Sequence, residues 1–157
     1  MIRQQIGDVL EINFEGNWLY LIVLTQIAMF GGNIVFAFHN DGKKMNFDDL
    51  LEIKEGFNIC TDLLWVKRDG LVQRIGKIKN VEPNFYTKFV KGAHETRKNV
   101  KAKRWFIYRI DDLRHHITIV ENLSNEHKKA MDDGTFSFDL VAEKILQRYT
   151  PDQDGRI

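Results

Sequence analysis

The run Trp18 to Thr25, WLYLIVLT, limits this chain more than any other segment. It is nearly continuous in aromatic, aliphatic and β-branched residues, a composition that favours strands. It falls far short of the roughly 20 apolar residues that a helix needs to cross a bilayer. As a strand it is apolar on both faces, so the fold has to supply a cover on each side. The preceding segment, Asp8 to Phe14, alternates, with Leu10, Ile12 and Phe14 on one face and Val9, Glu11 and Asn13 on the other. That is the period of a half-buried strand. Glu15-Gly16-Asn17 lies between the two runs, so together they read as a β-hairpin.

Further strands follow. Gly31-Gly32-Asn33 is a turn before Ile34 to Phe38, and His39-Asn40-Asp41-Gly42 stops that strand. Phe47 to Ile53 is either a short helix capped by Asn46 or an irregular segment. Phe57 to Val66, a Lys67-Arg68-Asp69-Gly70 turn and Leu71 to Ile78 read as a second hairpin, since Asp-Gly between apolar runs is a strong local signal. A short strand is expected over Asn84 to Val90, and an exposed basic loop over Lys91 to Lys103, which lacks apolar periodicity. Arg104 to Ile110 is a strand whose partner is His115 to Val120 across an Asp111-Asp112 turn.

The C-terminal part reads as helical. Ser124 caps a short helix over Glu126 to Met131, closed at Asp132-Asp133-Gly134. Ser137 caps a second, in which Phe138, Val141, Ala142, Ile145 and Tyr149 recur at helical spacing before Pro151. Strands first and helices last give an α+β domain. The expected architecture is a strongly curved antiparallel sheet or small SH3-like barrel with C-terminal helices packed on it. A single domain over 1–157 is expected, with β-hairpins in 6–83, a basic loop and further strands in 84–122, helices in 123–150 and a frayed tail in 151–157.

The 157 residues carry a formal net charge of only +1, but the charge is segregated along the chain. Residues 1–66 hold four Lys/Arg against nine Asp/Glu, residues 67–109 thirteen against three, and residues 110–157 six against ten. A basic middle between acidic ends either brings opposite charges together in the fold or leaves a basic face for a partner. The N-terminal MIRQQIGDVLEINF lacks the pattern of a secretory leader, and a lone Cys60 suits a reducing compartment. A cytoplasmic protein without a membrane span is expected.

No catalytic constellation emerges from the chain. Cys60 lies mid-strand, with no glycine-rich elbow or helix N-terminus to lower its pKa, and Asp62 projects from the same face. It reads as a structural cysteine. His115 and His116 are adjacent and on a strand point to opposite faces, while His39, His94 and His127 are scattered, so no metal site is expected. Gly31-Gly32-Asn33 matches no phosphate loop. The pairs Asp48/Asp49, Asp111/Asp112 and Asp132/Asp133 read as solvated turn or helix-end residues. No cofactor is expected.

The most suggestive segment is Lys98, Lys101, Lys103 and Arg104, followed by Trp105, Phe106 and Tyr108. Cations that neutralise phosphates beside aromatics that stack on bases are the parts of a single-strand binder. A nucleic-acid-binding β-barrel protein using segment 97–109 is therefore the alternative reading, weakened by a net charge near zero.

Three stretches, IGDVLEINFEGNWLYLIVL, IVFAFHND and LLWVKRDGLVQRIGKIKNVEP, cover roughly residues 6–83. In their order, with Ile75-Gly76 and Pro83 in place, the chain resembles the immunity protein 26 family of bacterial polymorphic toxin systems. The resemblance implies a non-enzymatic antidote that binds and neutralises a cognate toxin domain, with no catalytic residue to carry over. Two surfaces are candidates for that contact: the basic set Lys98, Lys101, Lys103 and Arg104, or an acidic face of Glu11, Glu15, Asp48, Asp49, Glu52 and Glu55. The acidic face is the better match for a toxin with a basic active site, such as a nuclease.

Overall fold

A computed structural model of the chain describes residues 4–27, 31–63 and 72–157, with side chains at 26, 27 and 112–116 left aside. In chain order the elements are β1 (Asp8–Phe14), β2 (Asn17–Ile27), β3 (Gly32–Phe38), α1 (Phe47–Glu52), β4 (Gly56–Thr61) and β5 (Val72–Lys77). There follow β6 (Phe89–Ala93), β7 (Trp105–Arg109), β8 (Asp112–Val120), α2 (Asn125–Lys128), β9 (Met131–Asp132) and α3 (Phe138–Leu146). Short 3-10 turns occupy Pro83–Phe85 and Pro151–Gln153. The fold is α+β. It comprises two compact units, one of Met1–Tyr86 with Gly134–Tyr149, the other of Thr87–Asp133 with Thr150–Ile157.

The first unit is a five-stranded antiparallel sheet in the order β4-β3-β2-β1-β5. The β1–β2 hairpin forms, pairing Leu10 with Leu21 and Ile12 with Leu19, but β1 is not half-buried as its alternation implied, since Val9 and Glu11 on the second face are buried as well. Glu15 and Gly16 have φ of 49° and 81°, the positive values that a two-residue type I′ loop demands at both central positions. Leu19 to Leu24 of β2 are all buried. On one face Leu19, Leu21 and Val23 join Leu10 and Ile12 against Val141, Ala142 and Ile145 of α3. On the other, Ile22 shares a register position with Phe36, whose ring packs edge-on against Phe38 and Phe85. Both covers that the apolar run demanded are thus present.

The second expected hairpin is overturned. β5 does not return beside β4; it pairs with β1 at the opposite end of the sheet, with a register shift between Val9 and Leu10. A turn signal is local, whereas pairing is decided by burial. β5 exposes Gln73, Arg74 and Lys77, which suits an edge, and it brings the Arg74 guanidinium to 3.6 Å from the buried Asp8 carboxylate. The 67–70 turn lies outside the described residues. Since β4 and β5 both end the sheet, it is open rather than a closed barrel.

The second unit is a four-stranded sheet in the order β8-β7-β6-β9. Here the sequence reading needs three corrections. Residues 89–93, placed partly in a basic loop, form β6 at the centre of the sheet. The helix expected over Glu126 to Met131 ends at Lys128, because Met131 and Asp132 pair in parallel with Val90 and Lys91. The tail expected to fray is held in place: Pro151 is buried, and the Arg156 carbonyl accepts a hydrogen bond from the Ala102 N–H at 2.8 Å.

Candidate binding surface

The loop joining β6 to β7 carries the basic residues singled out in the sequence. Its base is closed by the His94 N–H donating to the Arg104 carbonyl at 3.0 Å. Within it, Arg97 donates twice to the Glu95 carboxylate, at 2.9 and 2.8 Å, which pulls that carboxyl down to about 2. Asn99 takes a positive φ of 63°, a conformation asparagine tolerates better than most residues. The C-terminal tail braces the loop. Arg156 accepts from Ala102 through its carbonyl and donates from Nη1 to the Glu95 carbonyl at 3.3 Å. Its own guanidinium is clamped by Asp154.

Lys98, Lys101, Lys103 and Arg104 are all exposed, and among the described residues no ion pair uses any of them. The loop therefore spends its acidic partner, Glu95, on fixing its own shape and leaves four cations facing solvent.

Next to this loop lies an apolar sheet face. In β7, Trp105 and Ile107 are buried, while Phe106 and Tyr108 on the other face are half-buried. Register places Ile119 opposite Phe106 and Ile117 opposite Tyr108. Those two isoleucines, on edge strand β8, are 59% and 52% exposed. The His94 ring sits edge-on to Phe106, 6.1 Å between centroids, so the cationic loop and the apolar face adjoin.

The acidic set divides. Glu15, Asp48, Asp49, Glu52 and Glu55 are exposed, three of them on α1. Glu11 is no part of that surface: it is 5% exposed within β1. Its carboxylate accepts from the Tyr20 hydroxyl at 2.8 Å and pairs with Lys44, whose ammonium lies 3.6 Å from the centre of the Trp18 ring. Burial, with help from Glu11, pushes the Tyr20 phenol up to about 12. This network fastens the 43–46 loop to the sheet.

Cys60 is fully buried, with its Sγ 3.7 Å from the Thr135 hydroxyl, and burial raises its thiol above the ordinary value. His39 is buried with Nε2 2.8 Å from the Tyr149 carbonyl. The rings of His94 and His127 pack on Phe106 and Phe89, and the side chains of His115 and His116 lie outside the described residues. Among the described residues no three His, Cys, Asp or Glu side chains are grouped to hold a metal ion, and no helix is long and apolar enough to cross a membrane.

Two features escaped the sequence reading. Lys91, counted with the loop cations, is buried: Nζ lies 2.8 Å from Asp132 and donates to the Ala130 and Pro151 carbonyls at 3.0 and 2.9 Å. Its only signal was its place inside FVKGA, between apolar neighbours. The exposed edge at Ile117 and Ile119 is the other: His115 to Val120 reads as a strand, but not as the edge of a sheet. The chain matches no protein-family model, no curated protein and no solved structure.

Proposed function

We propose that the protein is a non-enzymatic binding protein of the cytoplasm that captures and neutralises a cognate toxin domain. The observation that carries this reading is the braced loop presenting Lys98, Lys101, Lys103 and Arg104, unpaired, beside Ile117 and Ile119. Unpaired surface cations speed encounter with an acidic partner. A loop already fixed by its own hydrogen bonds loses little entropy on binding. Exposed aliphatics supply surface whose desolvation favours association. The toxin as partner comes from the resemblance of residues 6–83 to the immunity protein 26 family. An SH3-like relationship of the five-stranded sheet belongs to the same proposal, resting on its consecutive antiparallel strands and on β5 lying beside β1. The non-enzymatic reading is supported by the burial of Cys60, whose thiol is both covered and raised in pKa.

Phe106 and Tyr108, half-exposed beside the same cations, favour a second reading as a single-strand nucleic-acid binder. One set of experiments separates the two. Co-expression with the last domain encoded by the adjacent upstream gene is expected to restore growth and yield a stable complex. No toxicity and no complex would exclude the toxin reading. Polynucleotide binding that falls steeply between low and high salt would then establish the second. If a complex forms and charge reversal of the four basic residues leaves inhibition intact, the contact moves to Glu15, Asp48, Asp49, Glu52 and Glu55.

A further inference from the structure

Edge strands expose a row of unpaired N–H and C=O groups, and proteins ordinarily protect them with charges, prolines or bulges. β8 ends the second sheet, and its ladder with β7 runs without interruption from Ile117–Tyr108 to Val120–Trp105. Over this stretch, Ile117-Thr118-Ile119-Val120, it carries neither charge nor proline; the register shift lies beyond Ile117 and the exposed Glu121 follows Val120, so the open edge is these four residues. Its two isoleucines continue an apolar face begun by Phe106 and Tyr108. At the Val120 end the chain of β7 begins with Trp105, so Arg104 and the loop cations stand at the end of the same edge.

We infer that β8 is a docking edge for an extended segment of the partner, which adds as a further strand, carries apolar residues at alternate positions and has Asp or Glu at the end that meets the loop. Main-chain hydrogen bonds to an edge supply affinity, and side chains at every second position supply selectivity. One set of alternate side chains extends the Phe106–Ile119 and Tyr108–Ile117 rows. The acidic end is chosen by charge: Lys98, Lys101, Lys103 and Arg104 lie in the loop at the Val120 end of the sheet and make no ion pair among the described residues. The inference rests on the partner-binding reading above and adds where and how the partner sits.

Hydrogen exchange of the complex with the upstream-encoded domain tests it. Alternate amides of 117–120, which point away from β7, are expected to exchange at least tenfold more slowly in the complex than in the free protein. The double variant Ile117→Asp/Ile119→Asp, folded by circular dichroism, is expected to bind at least tenfold more weakly. The milder Ile119→Thr, a good strand former, is expected to fall between. A complex that leaves the 117–120 amides unprotected and tolerates these variants would overturn the docking edge while leaving the toxin-binding function in place. Free protein that is dimeric, with those amides already protected, would assign the edge to a second copy instead. No complex at all would remove both readings.

Discussion

Lys91 shows how much one side chain can tie together. Its ammonium is buried and engaged by the Asp132 carboxylate and by the carbonyls of Ala130 and Pro151. It therefore links the central strand β6 to β9 and to the tail of the same unit. Removing one member of a buried ion pair costs about 3–5 kcal/mol. Lys91→Met, close in volume, is expected to lose that much in urea unfolding, and Lys91→Met/Asp132→Asn to recover about 2 kcal/mol of it. Equal losses in the single and double variants would show that the pair is not coupled. His39 bears on pH. Burial, followed by the Arg148 charge, lowers its pKa against the opposing Tyr149 carbonyl, Asp41 and Glu55. A group whose folded pKa lies below its unfolded value binds protons preferentially in the unfolded chain. The stability it contributes is complete above the ordinary imidazole value near 6.5 and is lost as pH falls through that range. His39→Gln keeps a donor for the Tyr149 carbonyl but does not titrate. The advantage of the wild type over this variant is expected to shrink between about pH 7 and pH 5, followed by denaturant unfolding at each pH.

At the scale of elements, the caps separate what a sequence position implies from what a side chain does. Asn46 and Ser137 both precede helices and both have extended backbones. The Asn46 side chain accepts from the Asp49 N–H at 2.8 Å, whereas Ser137 makes no capping bond. Asn46→Ala is therefore expected to cost about 1 kcal/mol and Ser137→Ala no more than a few tenths, measured as shifts in the urea midpoint. Similar losses at both would mean that the cap bond at Asn46 contributes nothing. The legibility of the fold follows the same division. β1 and α3 were readable because a period of two and a period of 3.6 respectively are written in contiguous residues, and β2 because its aromatic and β-branched run is unbroken. The β1–β2 turn was readable because Glu15-Gly16 supplies both positive φ values locally. The partner of β5 was not, since β5 pairs with β1, some 60 residues earlier in the chain, a contact no local pattern records. Met131-Asp132 was read as a helix end for the same reason: two residues become a strand only because β6 lies alongside.

Across the whole molecule, folding redistributes the charge that looked so segregated along the chain. The unit of Met1–Tyr86 and Gly134–Tyr149 holds 11 Lys/Arg against 13 Asp/Glu, and the other holds 12 against nine. Several members of the basic middle are spent inside the fold: Lys91 on Asp132, Arg97 on Glu95 and Arg74 on Asp8. Of that basic middle, the loop set of Lys98, Lys101, Lys103 and Arg104 stays exposed and without an ion pair among the described residues, as do Lys77, Lys79 and Lys88 outside the loop. The candidate site was thus visible in the sequence as a cluster of lysines, but its members could be told from Lys91 only by burial. Because those four are exposed and make no ion pair among the described residues, the variant Lys98→Glu/Lys101→Glu/Lys103→Glu/Arg104→Glu is expected to unfold at nearly the wild-type urea concentration. Isolated surface charges contribute only about 0–1 kcal/mol. Association is a different matter, since it responds to the summed field over a distance set by salt. With a screening length of about 10 Å at 0.1 M salt and about 3 Å at 1 M, the variant is expected to associate with the acidic partner about tenfold or more slowly at low salt and at nearly the wild-type rate at high salt. Stopped-flow association across that salt range decides the point. A deficit that persists undiminished at high salt would place these residues in direct desolvated contact rather than in a steering role, and no deficit at low salt would remove the loop from recognition altogether.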